Sequence, residues 1–152
     1  MESTDATDAT GASIPAEIVR RRSDIGGAVA AVERALEAAA GTQEWQTHVS
    51  ETIAKLRQLV AEQVVAYEAE GGVFDDIVLR APRLASHVKR VRATIEPLAS
   101  RLDVLSSQVS TDEPDVVRDG ALVIITDIVR ARQKIADLVW DACSVDLGGS
   151  SS

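Results

Sequence analysis

From Leu84 the chain carries apolar residues alternately four and three apart: Val88, Val91, Ile95, Leu98, Leu102, Leu105 and Val109. At 3.6 residues per helical turn those steps fall on one face, so the run predicts a helix with a single apolar stripe. The same steps recur through Val117, Ala121, Ile124, Ile128, Ala131, Ile135, Leu138 and Ala142. A third stripe is Trp45, Val49, Ile53, Leu56, Val60, Val64 and Tyr67, and a fourth is Ile18, Ile25, Val29, Val32, Leu36 and Ala39. Each stripe must be buried against another element. Aromatic residues are 3% of the chain, so the core is branched and small, which suits helix-on-helix packing better than a β-sandwich. The expected fold is all-α: an antiparallel up-down-up-down four-helix bundle around one dry centre.

Turn chemistry sets the expected boundaries. The first helix spans Pro15 to Ala40, weakened at Gly26 and Gly27 by about 1 kcal/mol each and stopped at Gly41. The second spans Thr42 to Glu70, capped by Thr42 and ended by Gly71-Gly72. A short helical piece, Phe74 to Arg80, precedes the third, where Pro82 fits a first turn. Pro97 has no N–H to offer the carbonyl of Ala93, so a kink is expected there. The fourth spans Glu113 to Val145, capped by Thr111 or Asp112, with Asp112, Glu113 and Asp115 facing the positive end of its dipole. Residues 1–12 are acidic and of low complexity, and are expected to be disordered. The bundle domain is expected over residues 13–147, followed by a flexible tail at 148–152.

The formal net charge of −8 disfavours binding to nucleic acid or to an anionic membrane surface, because both need positive charge. No apolar run approaches the ~20 residues of a membrane span. Cys143 has no partner for an internal disulfide, and the first residues are acidic rather than signal-like, so a cytoplasmic location is expected. The third helix has a basic outer face (Arg83, Lys89, Arg90, Arg92, Arg101). The second is acidic (Glu44, Glu51, Glu62, Glu68, Glu70), so ion pairs between their flanks are expected.

Residues with chemical potential are few. His48 and His87 are the two histidines, and neither has a His or Glu four residues on, as a helical ligand pair requires. No phosphate-cradling glycine motif is present. Cys143 follows Ala142 and reads as a buried, inert thiol. Tyr67 and Glu68 form a possible polar spot, and Glu68 and Glu70 read as a solvated helix end. No catalytic residue and no cofactor is expected.

The stretch VVAYEAEGGVFDDIVLRAPRLASHVKRVRATI, Val64 to Ile95, resembles a hemerythrin-like (HHE cation-binding) domain, as does LVWDACSVDLGG, Leu138 to Gly149. The resemblance covers about residues 25–149 in helix order and breaks. In that family histidine and carboxylate ligands support iron- or oxygen-related chemistry. Carried onto this chain, the first His-x-x-x-Glu pair falls on Val64 and Glu68, the third-helix His on Ile95, and the second pair on Ala131 and Ile135. Only Glu68 keeps a ligand residue. The other four lie on the apolar stripes, so the resemblance implies a site converted to hydrophobic core. The expected function is a non-catalytic, metal-free structural, regulatory or protein-interaction module, as a monomer or weak dimer with an unidentified protein partner. The alternatives are iron and oxygen binding through rearranged ligands (Glu68, Glu70, His48, His87) and a small-ligand pocket at Tyr67 and Glu68.

Overall fold

The computed structural model describes the backbone of residues 14–148 and the side chains of residues 24–144. The expected disorder at 1–12 and the side chain of Ile18 lie outside these residues, as does all of the expected tail but Gly148. Among the described residues the chain is helical, with no strand. Helix α1 is Ile14–Glu37, α2 is Gln43–Glu68 and α3 is Val73–Arg80. A 3₁₀ turn at Pro82–Leu84 leads into α4, Ala85–Ile95, followed by α5, Leu98–Gln108, and α6, Pro114–Gly148. No described helix is long and apolar enough to cross a membrane.

The stripes close on one core. α1 packs on α2, α2 on α5, α5 on α6, and α6 back on α1, while α3 and α4 also lie on α6. Ile53, Leu56, Leu102, Ile128 and Ile135 are sealed from solvent at its centre. Burying each such side chain is worth roughly 1.5–3 kcal/mol. Contacts along the helices fix their register: Arg57 meets Asp103 at 3.1 Å, whereas Glu68, further along α2, meets Arg92, which precedes Asp103. Arg101 meets Asp127 at 2.8 Å between α5 and α6. Of the expected flank pairs Arg92–Glu68 is present, and Arg57–Asp103 adds one of opposite sense.

Several boundaries differ from expectation. α1 ends at Glu37, leaving Ala39 exposed and outside the stripe. The cause is tertiary: Arg118 of α6 donates from Nε to the Leu36 carbonyl (2.8 Å) and from Nη2 to that of Ala38 (3.3 Å). It thereby takes up carbonyls that a helix end leaves orphaned. Its guanidinium also stands 5.8 Å from the ring centre of Trp45. Thr42 caps α2 as expected, accepting from Trp45 N at 3.0 Å. α2 stops at Glu68, two residues early, because Gly71 turns left-handed (φ 74°) and Gly72 folds back so that its N–H reaches the Ala69 carbonyl at 2.8 Å.

Pro97 does more than kink the third stripe: it splits it into α4 and α5. Both Glu96 and Pro97 keep right-handed helical φ, so the stripe stays continuous across the break. Thr111 does not open α6, since its hydroxyl reaches back to the Ser107 carbonyl; the ladder starts from the Glu113 carbonyl, which accepts from Val117 N at 3.1 Å. α6 continues through Gly148, past the expected end at Val145, with no proline to stop it and only a modest glycine cost.

Two glycines should respond oppositely to alanine. A Cβ on Gly72 would lie 2.6 Å from the Ala66 carbonyl and 2.8 Å from that of Ala69, both backbone atoms, whereas Gly27 has nothing within 4 Å. Gly72→Ala should cost about 1–3 kcal/mol. Gly27→Ala, in an exposed helix interior, should gain about 0.5–1 kcal/mol. Urea unfolding of the two variants measures both signs.

Candidate functional site

Four of the five positions assigned by family resemblance come together. Val64 from α2, Ile95 from α4, and Ala131 and Ile135 from α6 line one cavity of about 10 Å³, shared with Tyr67 and Gln63. Ile135 is fully buried, Ile95 and Ala131 are buried, and Val64 is half-buried against the core. A space of this size is at the threshold for one water molecule. Its walls offer alkyl groups where a metal would need five to seven nitrogen or oxygen donors, so these residues do not fit a di-iron centre.

Glu68 faces elsewhere. Its carboxylate lies 3.2 Å from Arg92 Nε, too poorly aligned for an N–H···O bond, and the Arg92 guanidinium stands 5.5 Å from the Phe74 ring centre. Glu68 is therefore not the solvated helix end expected from its position: its side chain is 27% exposed and engaged with α4. Burial holds its pKa above the ordinary 4.5, aided by a hydrogen bond and charge repulsion from Glu96, while Arg92 pulls the other way. Arg92 and Glu96 also border an open groove of about 530 Å³ between α3 and α4.

Tyr67, the other half of the expected polar spot, is buried on the cavity side, its ring 5.4 Å from that of Phe74. The two neighbours thus do not share one lining. Glu70 and His48 are exposed, and His87 is half-buried with Nδ1 enclosed. Among the described residues no three His, Cys, Asp or Glu side chains gather as a metal-binding group. Cys143 is half-buried against the core rather than fully enclosed.

The residue that sequence reasoning missed is Gln63. It is 5% exposed, and its Nε2 finds no hydrogen-bond partner in the protein. It stands between the cavity at Val64 and a second one of about 30 Å³ bordered by Asp24, Ile25, Leu59 and Glu62. The spacing carried the signal, because Val60, Gln63 and Tyr67 are as good a helical face as Val60, Val64 and Tyr67. Residue type favoured valine.

Two outcomes follow. Gln63→Leu should raise stability by about 1–3 kcal/mol in urea unfolding, by removing a buried unpaired donor; a loss would mean that the amide is satisfied in solution. For Glu68 the folded protein holds the proton more tightly than the unfolded chain does. Its stabilising contribution is therefore complete below 4.5 and is lost as pH rises through the elevated folded pKa. Relative to Glu68→Gln, the parent should lose stability as pH rises from about 4.5 through the elevated folded pKa, and not below 4.5. A difference independent of pH would show an unperturbed carboxylate.

Comparison with known proteins returned no matching family model, no matching curated protein and no matching solved structure.

Proposed function

We propose that this chain is a metal-free, non-catalytic helical module of hemerythrin-like descent, an antiparallel up-down-up-down four-helix bundle with a structural, regulatory or protein-interaction role. One observation carries the reading: Val64, Ile95, Ala131 and Ile135, assigned to ligand positions by resemblance, line the same small cavity. They share one layer of the core with the stripe residues Val60, Leu98 and Ile128. The alkyl groups there are chemically unable to ligate a cation and well suited to packing. The antiparallel course is supported by two pairs that run in reverse order along the second and third stripes: Arg57 meets Asp103, and the later Glu68 meets the earlier Arg92. The contact ring through α1, α2, α5 and α6 supports the same course.

The test joins metal content to the packing of the cavity. Purified protein should contain no stoichiometric iron by elemental analysis and show no visible absorption band. Ile135→Ala should cost about 2–5 kcal/mol, as expected of a fully packed isoleucine. Ile135→Glu should cost at least as much, because a carboxylate there is desolvated and unpaired. Stoichiometric iron, or Ile135→Glu as stable as the parent, would overturn the reading.

A further inference from the structure

Residues 77–95 hold five of the chain's 16 Lys and Arg and none of its 24 Asp and Glu. The structure gathers them on α3, the 3₁₀ turn and α4. Two of the five are matched: Arg80 meets Asp76 at 2.7 Å, and Arg92 meets Glu68 at 3.2 Å. Arg83, Lys89 and Arg90 are exposed, and among the described residues none of them has a carboxylate partner. Arg83 and Arg90 are seven residues apart, nearly two helical turns, so they share one side of the helix at a separation of about 10 Å. The groove rimmed by Asp75 and Glu96 borders Lys89 and Arg92 instead. An unmatched cationic face on a chain of net charge −8 fits a segment that carries carboxylates.

We propose that this face binds residues 1–13 of the same chain. That segment contains no Lys or Arg, and its acids Glu2, Asp5 and Asp8 recur every three residues. In an extended polyproline II form, which has three residues per turn, they fall on one edge about 9 Å apart. That interval is close to the separation of Arg83 and Arg90. The segment also has the reach. Leu36 and Trp45 both meet Arg118, whereas the earlier Ile25 shares a cavity with the later Leu59 and Gln63. On the antiparallel course proposed above, α1 therefore begins at Ile14, about 16 Å beyond Ile25 and toward the end of α2 where Glu68 meets Arg92. From Ile14 an extended chain carries Asp5 up to about 30 Å and Glu2 up to about 40 Å. Two packed helices are about 20 Å wide. Arg20–Arg22 are a second basic run, but Glu17 and Asp24 stand three and four residues from Arg20 and Arg21, the spacing of helical ion pairs. A polyanion from outside meets the acid excess of the rest of the chain, whereas a tethered segment is held at an effective concentration of about millimolar.

Paramagnetic broadening locates the segment directly. The full chain with Cys143→Ala and Ser3→Cys carries a nitroxide at position 3. At about 0.01 M salt the amide signals of residues 83–93 should broaden, and at about 1 M salt, where charges are screened beyond about 3 Å, the broadening should be lost. Arg83→Glu with Arg90→Glu should abolish it with unchanged circular dichroism, and adding Asp5→Lys with Asp8→Lys should restore it. No broadening at low salt, broadening confined to the Arg20–Arg22 turns, or broadening indifferent to the charge reversals would overturn the proposal alone. Broadening at the opposite end of the bundle, around Thr42 and Val109, would overturn it together with the antiparallel course.

Discussion

Burial of branched aliphatic side chains between α2, α5 and α6 is the interaction on which the remaining structure depends. Ile53, Leu56, Leu102, Ile128 and Ile135 are each excluded from solvent there, and no aromatic residue takes part in that central group. Tyr67, Phe74 and Trp45 are buried beside it, Tyr67 against Phe74 at the cavity and Trp45 beneath Arg118. Small branched residues interdigitate closely, leaving a central cavity of about 10 Å³. Such a centre tolerates no unpaired charge, and the one buried polar side chain among the described residues, Gln63, sits at its margin with an unsatisfied amide.

Charged groups act where the stripes end or meet solvent. Arg118 is the clearest case: one guanidinium ties the end of α1 to the start of α6, covers Trp45 and meets Asp115 at 3.2 Å. It satisfies the carbonyls of Leu36 and Ala38 that the end of α1 leaves without helical partners. Arg92 has a comparable place at the other end of α2, set between Glu68 and Phe74. Exposed pairs such as Arg57–Asp103 contribute about 0–1 kcal/mol each and serve register more than stability.

The same helix, α6, meets two different demands. Its inner face belongs to the core that unites the helices, and its outer face leaves Leu122, Val129 and Trp140 exposed. The interior at Val64, Ile95, Ala131 and Ile135 is alkyl, whereas the exposed side of α6 carries a mixture of apolar and charged groups.

Much of this was legible from residue spacing. Every position read onto the third and fourth stripes is buried, because steps of four and three on a long helix mark one apolar face, while Ile125 and Val139, beside the fourth stripe, are buried as well and were missed. Thr42 as a cap, Gly71-Gly72 as a stop and Pro97 as an interruption follow from backbone chemistry local to those residues. What only tertiary structure decided depended on partners distant in sequence. Val60 to Tyr67 could be bridged through Val64 or through Gln63, and packing against α1 and α6 buried the glutamine more deeply. Ala39 lies outside its stripe beyond a helix end that Arg118, far along the chain, holds through the Leu36 and Ala38 carbonyls. Glu68 looked like a solvated helix end until α4 brought Arg92 and Glu96 beside it. Local periodicity determines which face of a helix is apolar; which polar side chain is trapped at that face, and which charge meets it, is determined by what the fold carries there.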